Sequence, residues 1–327
     1  MLIRTQANHT INKTFFALGT INYIKIFDSE KGAAVEQAIK RVAEIENRMS
    51  AFKAESDISI LSRNSGQGFR NVHPDTFQLI RKAVEFSDLS NGAFDITIRP
   101  LVELWGINKK ANFIPSDFEI QKALALVDYH DIQLDSETLG ARLKRPGQSL
   151  DLGGIAKGFA ADEVKQILLN SGIRSGLINL GGNVVTIGKR ADGLPWQIGI
   201  QNPLAPTGRY LGVLSTENKT VVTSGSNERF FIKDGVRYHH ILDPRTGKPA
   251  QNSLLSVTAI CTRSTDADAL TTVLFVLGPE KSAPLLSKVK AEAIFVAKDL
   301  TVTVTNGLLN YFKISNEQGG IRIENKK

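Results

Sequence analysis

The stretch Ser149-Leu150-Asp151-Leu152-Gly153-Gly154-Ile155-Ala156-Lys157-Gly158 packs a short strand, a glycine turn, a lysine and the start of a helix into consecutive residues. Apolar side chains at Ile155, Phe159, Ala160, Val164, Ile167 and Leu168 then recur with the 3.6-residue helical period, which runs out at Asn170-Ser171-Gly172. Gly172 falls where a left-handed helix cap is expected. Gly153 and Gly154 let backbone N–H groups approach a ligand with no Cβ in the way, and the positive end of the helix lies beside Lys157. This combination suits a phosphate. An ordinary strand-to-helix turn with a solvated lysine has the same local pattern, so the rest of the chain decides between the two.

A chain of 327 residues, 42% hydrophobic and 22% charged, has the composition of a soluble globular protein with ample core. The net charge of +7 comes from Lys and Arg scattered along the chain, without a basic run interleaved with aromatics. That argues against nucleic acid as a partner and leaves an anionic small ligand or simply a charged surface. The single cysteine, Cys261, ends the apolar run from Leu255 and reads as a buried strand residue, so neither a disulfide framework nor a thiolate metal site is available within the chain. No segment approaches the roughly 18 apolar residues of a membrane span, so stable membrane insertion is not expected. Met1 to Asn12 is polar and lacks the apolar core of a signal peptide, which points to the cytoplasm, or to the periplasm if a leader has been removed.

Thr14 to Phe27 alternates and is interrupted by Leu18-Gly19-Thr20, as expected for two strands meeting at a bend or bulge. Val35, Ala38, Ile39, Val42, Ile45, Met49 and Phe52 give one long amphipathic helix. Further helices are expected over Ser56 to Arg63 and from His73-Pro74-Asp75 to Asn91-Gly92. Gly92 to Leu101 reads as an apolar extended run closed by Pro100, and its one carboxylate, Asp95, must be paired or bind something. Ser116-Asp117-Phe118-Glu119 is a capping box for a helix to about Val127. Leu177 to Val185 reads as one strand whose Gly181-Gly182 pair marks a bulge or a close approach. Asp234-Gly235 between Phe230 to Lys233 and Val236 to His240 is a hairpin signal. Strands over Trp196 to Gln201, Ser253 to Cys261, Ala293 to Ala297 and Thr301 to Thr305, with a helix from Thr265 through Leu277, complete an α+β pattern with mixed sheets.

Asp268 and Thr272, four apart on that last helix, share a face. A carboxylate beside a hydroxyl suits a hard, oxygen-seeking cation such as Mg²⁺. The alternative is that Thr265 and Asp268 form a capping box. Of the neighbouring His239 and His240, one faces inward and the other outward, because strand side chains alternate. A histidine there can serve as a general base or be purely structural. Asp243-Pro244-Arg245-Thr246-Gly247 has the composition of a rigid turn. No Walker loop, Gly-x-Ser-x-Gly elbow, His-Glu-x-x-His helix or Gly-x-Gly-x-x-Gly loop is present.

Leu18-Gly19-Thr20, Phe94-Asp95-Ile96-Thr97, Leu150 to Gly158, Leu180-Gly181-Gly182, Thr223-Ser224-Gly225, His240 to Pro249 and Ala267-Asp268-Ala269-Leu270 follow one another in this order. Together they resemble the ApbE family, the FAD:protein FMN transferases, from about Phe15 to Phe312. The resemblance implies a two-lobed α+β fold with mixed sheets flanked by helices and the active site between the lobes. It also implies an organisation into a tail over 1–13, a single catalytic domain of two intimately packed subdomains over 14–315, and a tail over 316–327. The implied activity is Mg²⁺-dependent: FAD is bound, its pyrophosphate is split, FMN is joined through a phosphoester to a Thr or Ser of an acceptor flavoprotein, and AMP leaves.

Carried over by position, the resemblance makes Asp268 and Thr272 side-chain metal ligands and Ala156 a backbone carbonyl ligand. Leu18, Phe52, Ala93, Phe94, Asp95, Gly153, Lys157, Phe159 and Leu242 fall where the family contacts FAD, and His240 matches its proposed catalytic histidine. The family commonly has Met at the place of Leu18 and often Tyr at that of Phe52, so a hydroxyl is missing at position 52. The competing activities are an FAD pyrophosphatase that gives FMN and AMP to water, and a non-catalytic FAD-binding protein.

Overall fold

In a computed structural model, residues 10–107, 113–315 and 322–326 are described. The fold is built on a nine-stranded sheet ordered Ile11–Ala17, Thr20–Ile26, Gly176–Leu180, Asn183–Ile187, Thr220–Gly225, Leu254–Cys261, Glu292–Ala297, Thr301–Thr305, Arg322–Lys326. Every neighbouring pair is antiparallel except the last. Helices Gly32–Met49, Ala156–Asn170 and Ser264–Val289 contribute to the large core on one face, with Val42, Ile45, Val164, Leu168, Leu270 and Val273. The other face is covered by a three-stranded sheet, Phe312–Ile314, Tyr210–Thr216, Trp196–Gln201. Between the two sheets Trp196, Ile198, Leu214, Val221, Ile260 and Val304 form a second core. A central strand covered on both faces has no side facing water, and Leu254–Cys261 is buried at every position, Cys261 included.

Local chemistry sets the boundaries of these elements. Leu18 and Gly19, at φ of 54° and 69°, make a two-residue turn between the first two strands, and left-handed backbone at both central residues matches the strand twist. A leucine in that region is uncommon and strained. The expected left-handed cap is present at Gly172 (φ 85°), where Ile173 N–H donates to the Leu168 carbonyl and Gly172 N–H to the Leu169 carbonyl, closing Ala156–Asn170 in a Schellman motif. The Ser116–Glu119 capping box forms at the start of Asp117–Leu124. Asp234-Gly235 turns the hairpin Phe230–Lys233/Val236–His239.

The structure corrects several expectations. Gly181 and Gly182, at φ of 57° and 97°, are the turn of a hairpin between Gly176–Leu180 and Asn183–Ile187, not a bulge within one strand, while the close approach that the pair also signals is present, with Thr20 against Gly181. The run Gly92 to Leu101 is not an extended strand: it is a series of turns with a single bridge from Ile98 to Ser149, and Arg99–Trp105 is a helix with Pro100 in its first turn, where the missing N–H costs nothing. Gly32–Met49 ends before Phe52. The helix expected to stop at Leu277 breaks at Gly278 (φ 76°) and resumes through Pro279 to Val289. Tyr210–Thr216, Thr220–Gly225 and Phe312–Ile314 are strands without a counterpart in the sequence reading. The sheet reaches beyond both expected tail boundaries, with Ile11 and Arg322–Lys326 in strands. Residues 1–9, 316–321 and 327 of those tails lie outside the described residues.

Candidate active site

The register of the large sheet brings three of the glycine-bearing motifs to one end. Ala17 pairs with Thr20, Asn22 with Leu180, Leu180 with Asn183 and Asn183 with Val222. The Leu18-Gly19 turn, the Gly181-Gly182 turn and Thr223-Ser224-Gly225 therefore project from the same edge of the strands. A Cβ on Gly181 would meet Thr20 Cγ2 at 2.5 Å, so the two turns are in contact. Ser224 Oγ donates to Thr271 Oγ1 at 2.8 Å, which ties this end of the sheet to Ser264–Val289.

The opening stretch sits against the same helix. Gly154 is covered by the Phe94 ring and by Thr272, whose Oγ1 would lie 3.5 Å from a Cβ at position 154. Gly158 packs on the Ser264 carbonyl and on Asp268, whose Cβ would lie 2.8 Å from an added Cβ. Thr272 thus stands at residue 154 and Asp268 at residue 158, with Ala156 and Lys157 between them. Asp268 is buried; Gly158 N–H donates to its Oδ2 at 2.9 Å and Lys157 Nζ approaches its Oδ1 at 3.4 Å. Lys157 Nζ also donates to the Gly153 carbonyl at 3.0 Å.

These bonds revise the reading of the glycine turn as an open cradle of N–H groups. Gly153 N–H donates to Asp151 Oδ1 at 2.7 Å, Ile155 and Ala156 N–H donate to the Leu152 carbonyl, and Gly158 N–H holds Asp268. An added Cβ at Gly154 would press on the Phe94 ring, 3.1 Å away, and come into ordinary contact with Thr272. The positive helix end serves Asp268 first. The capping box between Thr265 and Asp268 does not form: Thr265 Oγ1 donates to Asp162 at 2.6 Å, and Asp268 turns to Gly158.

The donor set fits a hard divalent cation. Asp268 holds a buried carboxylate with one full hydrogen bond and one long contact, which leaves acceptor capacity. No hydrogen bond engages the Thr272 hydroxyl among the described residues, nor do these contain a cluster of three or more His, Cys, Asp or Glu that could hold a metal. One carboxylate and one hydroxyl beside the Ala156 backbone are the kind of sparse oxygen set that suits Mg²⁺, which keeps waters and takes phosphate oxygens.

His239 is the last residue of its strand, and His240 follows just beyond the strand end. His239 is buried, its Nε2 bonded to the Ala250 carbonyl at 3.0 Å, and its ring meets Phe275 edge-on. His240 is half-buried and its Nδ1 lies 3.4 Å from the Arg229 carbonyl. With the proton on Nδ1, Nε2 carries the lone pair. Burial first, then the charge of Arg229 and, among smaller effects, that of Lys157, lower His240 to about 4, so the ring is neutral at pH 7. Glu228 and Arg229 stand close enough to Lys157 and His240 respectively to act on them or be acted on by charge.

The remaining expected residues fall in distinct surroundings. Asp95 is fully engaged: Oδ1 accepts from Thr97 N–H and Oγ1 at 2.7 and 2.6 Å, and Oδ2 from Tyr129 N–H at 2.9 Å. Burial raises it to about 6 against those bonds. It latches the buried Ala93-Phe94 turn to the segment before Ile132–Asp135. Phe52 is exposed under the Arg99 guanidinium, 4.8 Å from its ring centroid, and Arg99 pairs with Glu103 at 2.8 Å and nears Asp151 at 4.0 Å. Leu242 is packed with Leu101, Trp105 and Ile120, and Phe159 lines a cavity of about 190 Å³ with Leu79, Lys82 and Arg263. The structure therefore brings together Phe94, Gly153, Ala156, Lys157, Asp268 and Thr272, with His240 within electrostatic reach. It buries the Leu242 side chain in a separate core. The Asp243 segment is a rigid turn, its carboxylate accepting from Arg245 N–H at 2.9 Å. The sequence alone does not single out Asp151, Arg99, Glu228 or Arg229. Asp151 lies inside the motif, whereas the others carry no local pattern.

A profile of the ApbE family matches residues 18–295, and the chain belongs to that family. The FAD:protein FMN transferase of Klebsiella pneumoniae (strain 342) is 38% identical over 302 residues, covering 91% of this chain and 93% of its own. That of Treponema pallidum is 35% identical over 315 residues, covering 91% and 87%. Among solved structures, the ApbE protein of Thermotoga maritima superposes with a TM-score of 0.81 at 31% identity, covering 94% of this chain and 97% of its own. The apo flavinyl transferase ApbE of Pseudomonas stutzeri gives 0.83 at 27% identity, covering 94% and 98%.

Proposed function

We propose that this chain is an FAD:protein FMN transferase whose site is the seam between the Gly153–Gly158 turn and the helix bearing Asp268 and Thr272. The observation that carries the reading is the placing of Thr272 against Gly154 and Asp268 against Gly158, on either side of Lys157. The relatives' shared name supports the substrate, FAD, and a protein as acceptor. The finer assignment is that Asp268, Thr272 and the Ala156 carbonyl hold Mg²⁺, that the acceptor group is a Thr or Ser hydroxyl, and that Leu18, Phe52, Phe94 and Gly153 border the bound FAD.

When bound, the cation offsets charge on the pyrophosphate oxygens as it builds up. Lys157 Nζ does the same from the protein side and holds the turn closed through the Gly153 carbonyl. The acceptor hydroxyl oxygen bonds to the phosphorus of the FMN half. The bond from that phosphorus to the bridging oxygen breaks, and the oxygen leaves with its electron pair on AMP. The hydroxyl proton passes to His240 Nε2, which burial and neighbouring cations keep unprotonated beforehand. The Phe52 ring, held under Arg99, offers an aromatic face to the flavin.

The test is incubation with FAD, Mg²⁺ and an acceptor protein, followed by denaturation and detection of flavin fluorescence on the acceptor. A fluorescent acceptor that is lost in Asp268→Ala supports the reading. FMN and AMP free in solution with no labelled acceptor would make the protein a pyrophosphatase, and bound FAD with neither product a carrier.

A further inference from the structure

Asp162 belongs to none of the motifs above. It lies four residues after Gly158 on Ala156–Asn170 and so on the same helix face. Its carboxylate reaches the start of Ser264–Val289: Oδ1 accepts from Ser264 N–H at 2.7 Å, and Oδ2 from Thr265 N–H at 2.9 Å and Thr265 Oγ1 at 2.6 Å. The residue in the N-cap position, Arg263, makes no side-chain capping bond. The helix bearing Asp268 and Thr272 therefore begins on a carboxylate borrowed from the helix bearing Ala156 and Lys157.

An ordinary cap satisfies orphan N–H groups from the residue next to the helix and adds no contact to a neighbouring helix. A cap supplied by the neighbouring helix also fixes the register between the two. Asp268 lies one turn beyond Ser264, and Thr272 one turn further. One turn along the same seam from Asp162, Gly158 packs on the Ser264 carbonyl and on Asp268, and gives its N–H to Asp268 Oδ2 at 2.9 Å. With Asp162 at one contact and Gly158 at the other, the helix start is held at two points.

We infer that Asp162 is a positioning residue for the metal-holding oxygens: it sets where Asp268 and Thr272 stand relative to the Ala156 backbone. This rests on the proposed reading of those oxygens as the Mg²⁺ site.

The test uses the full chain with Mn²⁺ as the probe. Electron paramagnetic resonance gives the Mn²⁺ dissociation constant, and the melting temperature is read without metal. Asp162→Ala should weaken Mn²⁺ binding by about tenfold or more, as loss of a supporting partner does at metal sites, and should lower the metal-free melting temperature. Adding Arg263→Ser to Asp162→Ala supplies a local cap at a residue already extended (φ −105°, ψ 132°). The melting temperature should then recover while Mn²⁺ binding stays weak. Recovery of both, or an unchanged Mn²⁺ constant in Asp162→Ala, would reduce Asp162 to a cap and overturn the inference. Asp162→Asn, which keeps the shape, gives the same two readings if Asp162→Ala does not fold, with a severalfold loss of Mn²⁺ affinity expected and an unchanged affinity contradicting the role. Asp268→Ala separates the two levels. It should abolish Mn²⁺ binding, and binding retained there would overturn the metal assignment itself, whatever Asp162 does.

Discussion

His240 illustrates how burial tunes a single group at this site. In the free protein its lowered pKa, about 4, keeps Nε2 available at pH 7 at the expense of basicity. With the pyrophosphate beside Lys157 as proposed, its negative charge should offset the cations that depress the ring. His240→Gln should therefore cut kcat by about 10²-fold or more while leaving FAD affinity within about threefold, measured by single-turnover transfer and FAD titration. The acidic limb of kcat/KM for the unmodified protein should lie well below pH 6.5. Asp95 shows the opposite sign. Its folded pKa, about 6, is above the ordinary carboxylate value of 3.8, so the folded state binds the proton more tightly and stability from this group is lost as pH rises through 6. Relative to the parent, Asp95→Asn should gain on the order of 2–3 kcal/mol between pH 4 and 7, whatever its absolute loss from the broken Tyr129 bond. Denaturant melts at several pH values check this; parallel pH profiles would contradict it. Asp268 and Lys157 were legible in the sequence because each sits in a compact local motif. Asp162 and Arg99 were not, since their roles depend on partners distant in sequence or on a helix not foreseen.

The decisive contact between elements is the crossing of Ala156–Asn170 and Ser264–Val289 at Gly158. A methyl group there would overlap the Ser264 carbonyl and crowd Asp268 Cβ, and neither is the end of a flexible side chain. Gly158→Ala should cost about 1–3 kcal/mol, lowering the melting temperature, and should weaken divalent-cation binding by separating the helices. Turn chemistry decides which elements were readable. Asp234-Gly235 announces a hairpin because both residues accept left-handed backbone, and the hairpin is there. Gly181-Gly182 carries the same message, but the apolar residues on both sides imitate one continuous strand. At Arg99–Trp105 the apolar run resembled a strand, whereas Pro100 in the first turn was the signal for a helix start.

At the scale of the molecule, the α+β class was readable from composition and from interspersed periodicities, but the order of the strands was not. Thr20–Ile26 pairs with Gly176–Leu180 across some 150 residues of intervening chain, and no local pattern encodes that partnership. Packing on both faces of the large sheet also predicts an uneven stability. Leu254–Cys261, buried throughout and paired on both sides, should exchange its amide hydrogens only through global unfolding. The Phe230–Lys233/Val236–His239 hairpin is two-stranded with exposed Phe230, Ile232 and Val236, and its amides should exchange orders of magnitude faster. Equal protection of the two would contradict this account of the layers. Exchange of the bond broken in FAD for a bond to protein is read out by the ratio of AMP released to flavin fixed covalently on the acceptor. A transferase should release one AMP for each flavin retained after denaturation; AMP released with no flavin fixed would overturn transfer to protein.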